Sequence, residues 1–297
     1  MKKIIYKIFR KQQPTVSENE ITMPLPKAGM ETLPAVTRKF YPTQIVVGTA
    51  QSVGMQRRHN EDALYAMNTV LVEGESAYTF GIFIIADGMG GHQSGELASG
   101  ETVRVMADHL LVNLYMPLIE NGGALKNIQV DQVMVEGVNE VQKVVSEKVP
   151  GGGTTLTAAV ILGNQITFAH VGDSRAYFIK SDGTSEVITH DHSLVQRLQD
   201  LGQLTEEDAL IHPQRNVLYR AIGQSEPFSP DITTCPIPQG GYLLMCSDGL
   251  WGVVPKQDVI QIVLSGTCPS EACDKLVKAA NSRGGPDNIS VILIQFL

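Results

Sequence analysis

The sequence predicts an α+β domain. Three observations carry that expectation. Short apolar runs ending in turn residues recur from Ile45 onward, three of them between 155 and 190 follow one another with only tight turns between, and helix-period segments separate groups of strands. A doubly wound parallel sheet would need strict strand–helix alternation, whereas strands joined by tight turns pair antiparallel.

Taken in order, residues 1–44 carry Pro14, Pro24, Pro26, Pro34 and Pro42 without a sustained apolar period and read as an N-terminal extension or linker. The folded domain is expected over 45–297. It opens with IVVGTA (45–50) and YTFGIFIIADG (78–88), the latter a buried strand ending at Asp-Gly. Two helices are predicted, over about 94–115 and 131–148. In the second, Met134, Val138, Val141 and Val145 recur at intervals of four, three and four, which places them on one core-facing side. Strands return at 155–163, 165–172 and 175–190, with Asp182-Gly183 as the hairpin turn inside the last. The segment 191–223 is polar and helical, with turns at Gly202 and His212-Pro213. A strand at 241–249, helices near 255–264 and 271–280, and a strand at 288–296 complete the chain.

Composition excludes several classes. With 297 residues, 43% hydrophobic and 18% charged, the chain is a folded protein of one large domain or two small ones. A net charge of -8 argues against nucleic acid, which calls for a basic face, and favours cations as partners. The four cysteines, Cys235, Cys246, Cys268 and Cys273, form no C-x-x-C pair and read as thiols of a reducing cytoplasm. No apolar run is long enough to span a bilayer, and the stretch 1–10 (MKKIIYKIFR) lacks the pattern of a secretory signal.

The chemistry sits in carboxylates. Asp87 and Asp248 end the apolar strands IFIIA and YLLMCS, where an unpaired charge is expensive. Asp287 precedes another strand in GGPDNISVIL, Glu61 and Asp62 lie in RRHNEDAL, and Asp173 follows a strand in HVGDSRAYF. Singly, each is best read as a turn former or cap. Five such loci together form an oxygen-only ligand set of the kind that Mg²⁺ or Mn²⁺ prefers. An EF-hand starting at Asp87 fails because Met89 and Gly91 occupy its ligand positions, and no Gly-rich stretch has P-loop spacing.

These residues lie in strings whose order resembles the metal-dependent phosphatases of protein phosphatase 2C type: RRHNED (57–62), DGMGGH (87–92) with SGELAS (94–99), GTT (153–155), GDSR (172–175), THDHS (189–193), SDGLWG (247–252) and GPDN (285–288). The resemblance runs from about residue 45 to the end. It implies a sandwich of two antiparallel β-sheets flanked by pairs of helices, a binuclear metal centre at one edge, and a flap at about 191–223. By motif position Asp87 would bridge two cations, the Gly88 carbonyl would bind one, and Asp248 and Asp287 the other. Glu61 and Asp62 would complete the shell, directly or through water. Asp173 would lie near a third, weaker position shared with Asp248. Arg57 matches the phosphate-binding arginine, with Arg58 as its neighbouring competitor.

The implied activity is hydrolysis of phosphoserine and phosphothreonine in proteins, using Mn²⁺ or Mg²⁺, two per chain. A bridging hydroxide would attack phosphorus in line, without a phosphoenzyme. Phosphoproteins made by a serine/threonine kinase are the expected partners, with no nucleic acid, and a monomer is expected. One departure from the family pattern stands out: Met89 follows Asp-Gly where many animal members carry a histidine assigned as the general acid. A metal-bound water, His190 or His192 are the substitutes, although a solvent-facing or capping role suits both histidines better. Ser94 reads as a helix cap, Cys246 as a buried strand residue, and His92, Thr154 and Thr155 as structural. A small-metabolite phosphatase is an alternative. So is a non-catalytic phosphoprotein-binding module, whose signature would be a missing metal carboxylate; none is missing.

Overall fold

The computed structural model describes residues 44–73, 76–90, 93–120, 129–224 and 228–297. The extension over 1–43 and His92 lie outside them.

Two antiparallel sheets pack face to face. One orders its strands β1 (Ile45–Ser52), β11 (Ile289–Phe296), β10 (Gly241–Cys246), β7 (Arg175–Ile179) and β8 (Ser185–Val187). The other runs β2 (Asp62–Glu73), β3 (Ser76–Met89), β5 (Leu156–Leu162), β6 (Gln165–Val171) and β9 (Asp231–Pro236), with the two-residue β4 (Gly153–Thr154) paired to the end of β3. The Asp182-Gly183 turn joins β7 to β8 as the hairpin spacing requires.

The period-2 alternation of each strand divides the apolar residues between layers. In β3, Phe83 and Ile85 face the other sheet, where they meet Leu243, Met245, Ile292 and Ile294. Phe80, Ile82 and Ile84 turn outward onto helices α1 (Gln93–Leu110) and α3 (Val130–Lys148). The α3 face anticipated from its spacing is inward: Met134, Val138, Val141 and Val145 are fully buried. On the opposite side α7 (Lys256–Ser265) and α8 (Pro269–Ser282) cover the first sheet through Ile260, Val263 and Leu276. The order of layers is helix, sheet, sheet, helix.

Several elements depart from the sequence expectation. Strand β2 passes unread because its apolar run shows no alternation, Ala63, Tyr65 and Met67 packing on the helix side and Leu64 and Ala66 toward the other sheet, and β9 because it is an edge strand with two threonines. Helix α1 continues past 110 through a π-helical turn, Leu111–Tyr115, into α2 (Met116–Glu120). The widened turn precedes Pro117, whose nitrogen has no hydrogen to donate. Ser94 lies inside the first turn of α1 rather than ahead of it as a cap. Asp248 does not end a strand but opens a four-residue helix, α6 (Asp248–Trp251).

Phe83 is fully buried between the sheets while Val70 is 44% exposed. Phe83→Ala should therefore lower unfolding free energy by about 3–5 kcal/mol, and Val70→Ala should change it by no more than about 0.5 kcal/mol, as read by urea denaturation.

Candidate active site

The strand pairing gathers the acids at one end of the sandwich. Asp62 begins β2 and stands opposite Asp87 of β3 in the ladder. Asp173 lies in the turn from β6 to β7, Asp248 follows β10, and Asp287 precedes β11, the strand paired with β10.

Hydroxyl and main-chain groups hold Asp62 and Asp87. Asp62 Oδ2 accepts from Ser290 Oγ at 2.7 Å and Ser247 Oγ at 2.9 Å, while its Oδ1 is buried without a hydrogen-bond partner. Asp248 Oδ1 is likewise buried and unpartnered. Asp87 is anchored through its backbone: its N–H donates to Thr155 Oγ1 at 2.9 Å, and its carbonyl accepts from Thr155 N at 2.8 Å and Thr154 Oγ1 at 2.9 Å. Thr154 and Thr155, read from sequence as structural, thus serve the residue beside them. At Gly88 a Cβ would lie 2.2 Å from the Gly95 carbonyl oxygen and 2.5 Å from that of Glu61, so only glycine fits. Asn288 Oδ1 accepts from Glu61 N at 2.8 Å, and Asn288 Nδ2 donates to the carbonyls of Val53 and His59, which pins the loop carrying Arg57.

Burial dominates the electrostatics. It pushes Asp62 up to about 7, with Asp248 and Asp287 adding to the rise. Asp248 goes up to about 6, mainly by burial and then by Asp287. Asp87 and Asp173 are held well above the usual carboxylate range by burial and neighbouring carboxylates. Arg57 gives Asp287 its one ion pair among the described residues, Nη2 to Oδ2 at 2.7 Å, and is itself half exposed. The cluster therefore lacks positive charge, and its unpartnered oxygens fit divalent cations. No three metal-binding side chains among the described residues form a finished cage.

A cleft of about 220 Å³ opens beside the cluster. Arg57, Asp248 and Asp287 form one wall, and Gln196, Arg215 and Asn216 of the 191–223 segment form the other. Arg58 is not among the lining residues, which favours Arg57 of the two. Arg175 forks onto Asp191, Nε and Nη2 both reaching the carboxylate at 2.8–3.1 Å, and its guanidinium stacks 3.6 Å over the Trp251 ring. Arg175 makes its ion pair with Asp191 and not with the nearer-in-sequence Asp173. Trp251 Nε1 instead donates to the Asp173 carbonyl at 3.0 Å. His190 is exposed and sits on Asp200, while His192 is 1% exposed, contrary to a solvent-facing reading.

A family model described as protein phosphatase 2C matches residues 47–289. The chain belongs to that family. It is 36% identical over 248 residues to the serine/threonine phosphatase stp of Listeria innocua, covering 82% of this chain and 92% of the relative. The solved serine/threonine phosphatase of S. agalactiae superposes with a TM-score of 0.73 at 30% identity, over 86% of this chain and all of the other. The catalytic domain of the phosphatase PstP, solved with two manganese ions, gives 0.66 at 30% identity, over 85% of this chain and 98% of that one. Membership makes the protein a metal-dependent protein phosphatase with the family's sandwich of two antiparallel sheets.

Sequence reading passed over Ser247, Ser290 and Asn288, the partners that hold Asp62 and the Arg57 loop, and Asp191, which holds Arg175. Their adjacency to Asp248, Asp287 and the flap motif was the only available signal.

The raised carboxyl values of Asp62 and Asp248 lie above that of an unfolded chain. Between about pH 4 and about pH 7 the metal-free folded state therefore binds more protons, and the stability these groups contribute falls as pH rises. In chelator the melting temperature should drop across that window, and added Mn²⁺ should raise it more at the upper end than at the lower. An equal rise at both ends in thermal melts would count against cation binding by these carboxylates.

Proposed function

We propose that the protein hydrolyses phosphoserine and phosphothreonine in other proteins with the help of two divalent cations, Mn²⁺ or Mg²⁺. The observation that carries this is the set of buried carboxylates with unpartnered oxygens at the rim of a cleft. Asp87, the Gly88 carbonyl, Asp248 and Asp287 would hold the cations, with Glu61 and Asp62 completing the shell. Asp173 together with Asp248 would serve a weaker third position. When bound, the cations supply Lewis acidity that activates water and offsets charge on the phosphoryl group.

The chain's own residues do the rest. Arg57 rests on Asp287; were that carboxylate to hold a cation, the guanidinium would be free to fork onto phosphate oxygens. Ser247 and Ser290 keep Asp62 from rotating away. Met89 has no proton to give, both ring nitrogens of His192 are engaged, and His190 lies outside the cleft lining. The leaving alkoxide therefore takes its proton from water in the cleft. No side chain is required as a nucleophile.

Residues 45–297 are the catalytic unit in this reading, with 191–223 as the flap, acting as a monomer on the products of a serine/threonine kinase. Among the described residues no helix is long and apolar enough to cross a membrane, and the four cysteines are free, which supports a cytoplasmic setting.

Turnover of a phosphothreonine peptide should vanish with chelator and return with Mn²⁺. Asp87→Asn and Asp248→Asn should each lose roughly several orders of magnitude in kcat while remaining folded. A folded variant with near-normal turnover refutes the assignment, and equal kcat/KM on a sugar phosphate would redirect the substrate class. Arg57→Ala should mainly raise KM, because its contact is made in ground and transition states alike. The same defect in Arg58→Ala alone would move the role by one residue. A chain lacking residues 1–40 should keep full peptide turnover; loss of folding or activity would place that segment inside the catalytic unit.

A further inference from the structure

His192 lies near the start of the flap, and both of its ring nitrogens are engaged. The Gly172 N–H donates to Nδ1 at 3.1 Å, so Nδ1 carries no proton and, in a neutral imidazole, the proton sits on Nε2. From there it is donated to Asp231 Oδ2 at 3.2 Å. Arg220 Nη1, which has two N–H groups, donates one to Asp231 Oδ1 at 2.8 Å and stands 3.0 Å from the same ring nitrogen; a neutral ring has one acceptor nitrogen, and the Gly172 N–H already occupies it at Nδ1. Burial lowers the pKa of His192, in keeping with a neutral ring.

A second bond closes through the main chain. The His192 N–H donates to the Gly172 carbonyl at 2.7 Å, so one flap residue satisfies both polar groups of the residue before Asp173. Gly172 has φ +108°, and a Cβ there would lie 2.6 Å from Thr155 Cγ2. Only glycine fits this turn, and a glycine turn resists movement only through external bonds. Two further elements meet His192: Asp231 begins β9 opposite His170 in the ladder, and the far end of the flap brings Arg220 to the ring while Tyr219 N donates to the His192 carbonyl at 2.9 Å.

We infer that His192 is a positioning residue for the Gly172–Asp173 turn, with Asp231 and Arg220 setting its tautomer, so that Asp173 is in place only when the flap is seated. His192 does not line the cleft and so acts through the turn rather than on substrate. The inference rests on the role proposed above for Asp173.

Two substitutions divide the ring's bonds. His192→Asn keeps an acceptor where Nδ1 stands, and so keeps the Gly172 bond. His192→Gln can reach Asp231 but offers Gly172 no acceptor. In full-length protein with saturating Mn²⁺, His192→Gln should lower kcat on a phosphothreonine peptide by about tenfold or more with KM unchanged, the usual scale for losing a supporting contact behind a metal ligand. His192→Asn should recover most of that loss.

Nitrogen-15 NMR supplies a readout apart from turnover. The wild-type ring should show an unprotonated Nδ1 and a protonated Nε2, and the Gly172 amide should exchange faster in His192→Gln than in His192→Asn. A ring protonated on Nδ1 overturns the inference, as do equal kcat losses in the two variants with equal falls in melting temperature. Asp173→Asn, assayed alongside, separates the two readings. If it retains full turnover, the role of Asp173 and the kinetic part of this inference fall together. The hold of His192 on the turn is then decided by Gly172 exchange and the ring signals alone.

Discussion

The constraint on which the rest depends is the burial of several carboxylates at the meeting edge of two sheets with almost no cationic side chain to balance them. Burial and their neighbours raise Asp62, Asp87, Asp173 and Asp248 above the usual carboxylate range, and when ionised they repel one another. The backbone cannot yield, because Asp62 and Asp87 are locked opposite each other in one ladder and Asp248 and Asp287 flank two paired strands of the other. The interior apolar layer of Phe83, Ile85, Met245 and Ile292 clamps the two ladders together. Apolar packing thus sustains an electrostatic arrangement that exposed loops would relax, and that tension is what makes the edge receptive to divalent cations.

The wall facing the cluster is built from different physics. Arg175 is the pivot, forked onto Asp191 at the root of the flap and stacked on Trp251, whose indole N–H reaches the Asp173 carbonyl. This guanidinium is neutralised by Asp191 and has little charge left for a substrate, unlike Arg215, which lines the same cleft. Behind Trp251 a second cavity of about 390 Å³ shares Arg175, Trp251, Gly252 and Val253 with the cleft, so this wall is one residue layer thick. The flap, the Trp251 wall and the turn bearing Asp173 are consequently linked by direct bonds.

Family resemblance and geometry inform each other at Arg57. Motif position assigns it to phosphate, yet in this structure it neutralises Asp287. The two roles are compatible because the same planar fork pairs with carboxylate and with phosphate oxygens. Among the described residues, Asp287 is the one acid of the five loci with an ion-pair partner, because its side chain is 25% exposed and a long side chain can reach it.

The strand ends, the α3 core face and the acids Asp87, Asp173, Asp248 and Asp287 were legible in the sequence because each rests on local pattern: a period of two or 3.6, or a turn after an apolar run. Strands β2 and β9 were not, since β2 is apolar toward both of its faces and so shows no alternation, and β9 is a largely polar edge strand. Ser247 and Ser290 lie 185 and 228 residues from the Asp62 they hold; a hydroxyl in sequence carries no sign of its distant partner. His192 looked like a surface histidine until the fold brought Gly172 and Asp231 to its two nitrogens. The sequence by itself determined which residues carry charge and where strands stop. The tertiary structure alone decided which of those charges are buried, what holds them and which arginine faces the cleft, because burial and hydrogen-bond partnership are properties of residues brought together across the chain.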